Sequence, residues 1–232
     1  MIFRGWQKNS FNEWPGKICS VVWVGGCNFR CPFCYNPDLV LNSEKLPVFD
    51  SKEILSYLKE NQALLDGVTI TGGEPLIQKK EVLIDFIKKV KELNLGVAIE
   101  TNGTNPEMIE FLITHKLVDY LAMDVKAPLE QEKYNQLTGV QVDLKKIKKS
   151  IKIIKEAKID SEFRTTVVPG LLNQEDILKI TDYIKEGKGY YLQKFQSKET
   201  VGDVPKAEVY SDEWFEELKS KVAKKINIKL RI

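Results

Sequence analysis

Three cysteines stand within eight residues, in the run Cys27-Asn28-Phe29-Arg30-Cys31-Pro32-Phe33-Cys34. Thiolates ligate soft metals and iron–sulfur clusters, and a loop this tight can wrap three corners of an iron–sulfur cube. One iron is then left without a cysteine, and an open coordination position can bind an outside ligand. A structural zinc site wants four protein ligands, and no histidine or second cysteine pair lies nearby to complete one. The clustering fits metal ligation in a reducing compartment better than a disulfide framework. The fourth cysteine, Cys19, sits in an apolar run and reads as a small buried hydrophobe. The single histidine, His115, falls at an expected helix end, which suits capping or solvent exposure.

Further along, polar residues close successive apolar runs. Thr71-Gly72-Gly73-Glu74-Pro75 pairs consecutive glycines, which permit close backbone approach to a ligand, with a carboxylate able to receive an ammonium. Glu100-Thr101-Asn102-Gly103 and Asp124-Val125-Lys126 follow two more runs. Taken alone they are strand-end turns and a local ion pair, but buried charges at a common mouth would need partners. Arg164, in Phe163-Arg164-Thr165-Thr166-Val167-Val168-Pro169-Gly170, can offer a carboxylate a bidentate donor or can be salt-bridged within the fold. Gln196 ends the run Leu192-Gln193-Lys194-Phe195-Gln196.

The elements that must carry these residues alternate regularly. Ile18–Val24, β-branched and closed by Gly25-Gly26, predicts a strand buried on both faces. Asp50 and Ser51 ahead of Ile54, Leu55 and Leu58 predict a helix start. Strands are expected over 68–71, 97–100, 118–124, 161–168 and 190–195, and helices over 79–93, 106–115, 144–158, 174–185 and 212–225, with 227–232 as one more short strand. Such alternation predicts an α/β fold with a parallel sheet: a single-domain incomplete (β/α)6 barrel of the TIM-like kind over residues 1–232, with a doubly wound sheet as the alternative. In a parallel barrel chemistry gathers at the C-terminal ends of strands, where every motif above falls. The polar stretch 196–210, with Gly202 and Pro205, is the expected mobile lid.

Composition narrows the partners. Lys and Arg total 35 against 33 Asp and Glu, a net charge of +2 that argues for neither nucleic acid nor membrane. The N-terminal residues lack a signal-peptide core, and no stretch approaches the roughly 20 apolar residues of a membrane span, so a cytoplasmic protein is expected. The basic run Lys145–Lys152 carries apolar residues at helical spacing and reads as a solvated helix face.

Together the motifs resemble the radical S-adenosylmethionine superfamily, whose cysteine loop has three and then two intervening residues and an aromatic before the last cysteine, the place Phe33 fills. Thr71–Pro75 is similar to its segment for the amino group of the cofactor's methionine moiety. Asp124 and Lys126 resemble the Asp-x-Lys pair of the glycyl-radical activating enzymes. Ser10–Gly16 resembles their segment ahead of the first strand, with Glu13 in place of Asp. The resemblance implies one 4Fe-4S cluster on Cys27, Cys31 and Cys34. It also implies S-adenosylmethionine contacts from Phe33, Tyr35, Gly72, Gly73, Glu74, Thr101, Asp124, Lys126, Arg164 and Gln196, the last replacing a histidine. A monovalent cation near Glu100 is a further implication, with Glu standing where Asp is more familiar.

The implied activity is that of an oxidoreductase that reductively cleaves S-adenosylmethionine to a 5′-deoxyadenosyl radical and generates a glycyl radical on a partner enzyme. The anaerobic ribonucleoside-triphosphate reductase is the expected partner. No extra cysteines follow the first motif, so the electron is expected from an external donor such as flavodoxin or ferredoxin. Two alternatives stay open: a small-molecule substrate, as in 7-carboxy-7-deazaguanine synthase, and a non-catalytic metal-binding module.

Overall fold

The computed structural model describes residues 1–196, 199–204 and 209–231. The chain sorts into two compact units. The first comprises Met1–Asn28, Asn36–Thr101 and Glu107–Leu121, and the second Phe29–Tyr35, Asn102–Pro106 and the chain from Ala122 onward.

In the first unit β1 (Ile2–Phe3), β2 (Gly5–Ser10) and β3 (Cys19–Val24) precede α1 (Pro37–Leu41) and β4 (Phe49–Asp50). Strand and helix then alternate through α2 (Ser51–Glu60), β5 (Gly67–Gly72), α3 (Lys80–Glu92), β6 (Gly96–Thr101) and α4 (Pro106–Thr114). β3 pairs in parallel with β5, and β5 with β6. These strands are short runs of β-branched and small apolar residues, largely buried, as a sheet covered on both faces requires. β2 pairs antiparallel with β3 at the sheet edge, and β1 pairs antiparallel with β4. β2 went unforeseen because Gly5-Trp6-Gln7-Lys8-Asn9-Ser10 has no apolar alternation. β5 and β6 both start on glycine: a Cβ at Gly67 would stand 2.3 Å from the Gly96 carbonyl oxygen and 2.8 Å from the Trp14 indole, and one at Gly96 would stand 2.6 Å from that indole. Cys19 is fully buried and accepts from the Thr69 hydroxyl at 3.3 Å, as a core cysteine should.

The second unit takes up the end of β7 (Tyr120–Asp124) and continues through α5 (Gln131–Thr138), α6 (Leu144–Glu156), β8 (Asp160–Val167), α7 (Gln174–Ile184), β9 (Tyr190–Lys194), α8 (Asp212–Val222) and β10 (Ile228–Arg231). β8 pairs in parallel with β9, and β9 with β10. α6 begins where Asp143 accepts from the Lys145 N–H and buries Leu144, Ile147, Ile151 and Ile154, so its lysines line the solvated face. α7 opens with a reciprocal cap between Asn173 and Asp176. α5 was not expected.

The result is an α/β fold with a mostly parallel central sheet, as the alternation predicted. No helix among the described residues is long and apolar enough to cross a membrane. Of the expected lid over 196–210, residues 197–198 and 205–208 lie outside the described residues. His115 is exposed, with Nδ1 2.9 Å from the Phe111 carbonyl at the end of α4.

Candidate functional site

The site residues of the first unit lie at the ends of β3, β5 and β6. The register Val24↔Gly72 sets the turn after β5 beside the start of the cysteine loop. Gly73 N–H donates to the Val24 carbonyl at 2.9 Å, and Glu74 N–H to the Gly26 carbonyl at 2.9 Å. An added Cβ on Gly73 would stand 1.8 Å from the Gly26 oxygen, and Gly72 has φ near +116°. Both glycines are therefore demanded by the packing of one loop on the other, a constraint distinct from the ligand approach that their types suggested.

Glu74 is 1% exposed. Its Oε1 accepts from the Thr101 hydroxyl at 2.8 Å and from the Leu76 N–H at 2.9 Å. Glu100 Oε2 accepts from the Thr71 hydroxyl at 2.7 Å. Successive residues of β6 face opposite ways, so Glu100 and Thr101 reach different partners. Cys27 follows Gly26 on this unit and is partly exposed.

The rest of the cysteine loop belongs to the second unit. Cys34 N–H donates to the Cys31 carbonyl at 3.1 Å, folding these two cysteines into one turn, and Cys31 is 6% exposed. Two chain segments brace that turn. Arg30 N–H donates to the Thr138 carbonyl at the end of α5, at 2.7 Å, while Val201 and Gly202 donate to the carbonyls of Cys34 and Pro32, at 3.1 and 3.0 Å. The described part of the expected lid is thus tied to the cysteine loop. Phe33 is buried. Tyr35 stacks on Phe195, and its hydroxyl accepts from the Gln196 N–H at 2.7 Å, so two predicted residues meet. Burial pushes the Tyr35 phenol up, with the Gln196 bond opposing. None of the four cysteines is in a disulfide.

Asp124 and Lys126 close β7 as a 2.7 Å ion pair. Burial alone would pull the Lys126 ammonium down, but Asp124 and the thiolate charges of Cys31 and Cys34 outweigh it and hold Lys126 above the usual lysine range. Lys126 therefore lies in the field of the cysteine turn.

Arg164 is buried, and its Nε is bonded to the buried carboxylate of Glu162, which Arg231 also approaches at 3.6 Å. This salt bridge engages Arg164 through Nε. Glu162 was not anticipated, although its two-residue spacing from Arg164 on an expected strand puts both on one face and was the available signal. Asn102, in the segment after β6, is buried and accepts through Oδ1 from the Thr104 N–H and hydroxyl at 3.1 and 2.7 Å. Among the described residues no three Cys, His, Asp or Glu side chains converge on a single ion. A cluster presents several irons, so its thiolates need not converge as those of a zinc site do.

Comparison with known proteins places this geometry. Residues 21–184, from within β3 to the last residue of α7, match the model of the Radical SAM superfamily. MJ1227 of Methanocaldococcus jannaschii, provisionally named a glycyl-radical enzyme activating enzyme, is 35% identical over 196 residues, which cover 82% of this chain and 78% of that protein. The 7-carboxy-7-deazaguanine synthase of Clostridium acetobutylicum is 29% identical over 189 residues, covering 75% of this chain and 81% of that protein. Among solved structures, Streptococcus suis SuiB matches with a TM-score of 0.71 at 16% identity over 91% of this chain and 48% of SuiB, a likeness of fold; this chain spans about half of SuiB's length. With a cysteine loop of this spacing and a family match over most of its length, the chain belongs to the radical S-adenosylmethionine superfamily.

Proposed function

We propose that the chain is an activating enzyme: it holds one 4Fe-4S cluster on Cys27, Cys31 and Cys34, binds S-adenosylmethionine, and forms a glycyl radical on a separate protein. The observation that carries this reading is the braced loop of three cysteines outside any disulfide, spaced by three and two residues. The donor set fits the group, since three thiolates in one short loop suit three corners of a cluster and leave one iron for the cofactor. Held on these three thiolates, a cluster would supply the single electron that reductive cleavage of the cofactor's sulfonium needs, the chemistry behind hydrogen-atom abstraction from a substrate.

The chain's own residues hold and orient. Glu74, aimed by Thr101 and the Leu76 N–H, receives the cofactor's ammonium. Asp124 and Lys126 present a carboxylate and an ammonium to its polar groups, and Arg164, set by Glu162, shapes the surroundings. Phe33 and the Tyr35–Phe195 stack, with Gln196 tied to it, exclude water. Gly72 and Gly73 keep the turn after β5 narrow enough to lie against Gly26.

A glycine suits as the site of abstraction because it lacks Cβ, so its α-carbon can come into near contact. The likeness to MJ1227 over four-fifths of the chain supports a protein substrate, and the anaerobic ribonucleoside-triphosphate reductase is the partner we expect. Cys19 is buried in β3 and cannot help to build a second cluster, which supports an external one-electron donor such as flavodoxin or ferredoxin. The likeness to a 7-carboxy-7-deazaguanine synthase favours a second reading, a small substrate.

The test is anaerobic. Protein reconstituted with iron and sulfide is mixed with S-adenosylmethionine, a reductant and the candidate partner, and a glycyl-radical doublet is expected by electron paramagnetic resonance, collapsing when the partner's glycine is deuterated at Cα. No signal from any glycyl-radical protein, with a small molecule turned over in step with cofactor cleavage, would replace this reading by the second.

A further inference from the structure

The sheet edge of the second unit carries a face unlike that of a buried parallel sheet. β10 ends the sheet, and the registers Arg164↔Tyr191↔Lys229 and Gln193↔Arg231 run across β8, β9 and β10. Alternate residues of a strand share a face, so these side chains stand on one side with Glu162, while Phe163, Val167, Tyr190 and Leu192 stand on the other. Those four are buried, as parallel strands covered by helices are. The first side is polar, half-buried at Tyr191, Gln193 and Arg231 and exposed at Lys229.

Charge on this side is unbalanced. Glu162 is the one carboxylate on these rows among the described residues, against the cations Arg164, Lys229 and Arg231. Arg164 engages it through Nε. Arg231 Nη2 stands 3.6 Å from the same oxygen, an ion pair too long for a hydrogen bond. The Arg231 guanidinium instead lies 4.7 Å from the centre of the Tyr191 ring, and the Lys229 ammonium lies 5.6 Å from that centre. One aromatic ring thus gathers two cations, and an anion reaching them would gain from both. The rows also lead to the cysteine loop. Past Gln193 the chain runs into Phe195, whose ring stacks on Tyr35, the residue after Cys34. Adjacent strands lie about 4.8 Å apart, so the row from Arg164 to Lys229 spans about 10 Å, a reach suited to a substrate held at one end and reacting at the other.

We propose that Lys229 and Arg231, gathered by Tyr191, anchor the substrate by a carboxylate. The inference rests on the proposed reading of the cysteine loop and cofactor, and it names what the substrate must carry: an acidic side chain near the glycine of a protein, or the carboxylate of a small molecule. A guanidinium fork beside one ammonium matches the two oxygens of such a group. Holding it away from the reacting carbon orients the substrate without entering the chemistry. Lys229 and Arg231 are in this sense specificity-determining residues.

The test uses probes with and without the charge. Parent protein reconstituted with iron and sulfide and saturated with S-adenosylmethionine is titrated calorimetrically with two pairs: glycine-centred peptides bearing glutamate at each flanking position in turn against their glutamine counterparts, and benzoate against benzamide. The carboxylate member of at least one pair should bind about tenfold more tightly, a preference weakened by salt and lost in the double variant Lys229→Gln with Arg231→Gln. Arg231→Lys should keep part of it, which a role in packing alone would not allow. Lys229→Gln by itself should weaken the carboxylate probe several-fold; this exposed lysine has no carboxylate partner among the described residues, so it reports even where Arg231→Gln disturbs Glu162. A preference confined to the peptides supports the anchor with a protein substrate, and one confined to benzoate supports it with a small one. No preference in the parent, an equal preference in the double variant, or tighter binding of inorganic phosphate than of either carboxylate overturns the proposal. Iron uptake is measured separately: carboxylate binding by a parent protein that takes up no iron would keep the anchor and overturn the reading of the cysteines.

Discussion

The two units orient carboxylates on and after their strands differently. In the first, Glu74 and Glu100 take hydrogen bonds from the hydroxyls of Thr101 and Thr71. In the second, Asp124 and Glu162 are ion-paired with Lys126 and Arg164. A hydroxyl aims a carboxylate and leaves its charge in place, whereas an ion pair cancels it. The printed bonds on Glu74 come from neutral donors, whereas Glu162 and Arg164 form an ion pair with both members buried. Desolvation makes such a buried pair costly to assemble and costlier to break by halves.

The largest effect expected from breaking this contrast is at Glu162. Glu162→Ala leaves the Arg164 guanidinium buried without its carboxylate, and a loss of about 3–5 kcal/mol is expected in denaturant unfolding. The double change Glu162→Leu with Arg164→Met should recover most of it, since apolar replacement of a buried pair is often neutral. Equal losses in the single and double variants would show that the pairing is not what holds this region.

Next comes Glu74→Gln, which keeps the shape and removes the charge. On the proposed role, affinity of the reconstituted protein for S-adenosylmethionine should fall by about 1.5–3 kcal/mol, tenfold to over a hundredfold, with iron content unchanged. Titration calorimetry would detect it, and undiminished binding would remove the distinction drawn for the first unit.

Thr101→Val sharpens the same point more gently. It deletes one neutral donor to Glu74 and leaves the charge, so about 1 kcal/mol of affinity is expected to go, several-fold in Kd. A loss as large as that of Glu74→Gln would mean that the hydroxyl does more than aim.

The smallest effect concerns Asp66, whose carboxylate takes the Ile18 N–H at 2.8 Å and Lys17 at 3.0 Å. The main-chain bond first, then Lys17, hold its carboxyl below the usual carboxylate range. With the folded value lowered, its contribution is complete above the unfolded value of about 4 and lost as pH falls through the folded one. The group is exposed, so solvent screening keeps the contribution under about 1 kcal/mol. Parent and Asp66→Asn unfolding curves should differ at neutral pH and converge in acid; a gap that widens in acid would reverse the sign.

Residue order alone determined the chemistry and its sequence along the chain: thiolates at 27, 31 and 34, a carboxylate after paired glycines at 74, and the Asp124–Lys126 pair. Ligand type and spacing within a loop are set by covalent connection, and the β-branched runs of β3, β5 and β6 declare themselves because burial on both faces demands apolar residues throughout. The caps at Asp50 and Asp143 were legible for the same local reason. β2 and α5 were not, since Gly5–Ser10 is polar and forms only because β3 offers it an edge, while α5 is short and held by the fit of Gly139 against Arg30. That Glu162 claims Arg164, that Thr101 aims Glu74, and that the Thr138 carbonyl takes the Arg30 N–H were decided by tertiary structure. Those meetings depend on strand register and on where a helix end docks, and both are set by packing between segments far apart in the chain rather than by the residues beside each group.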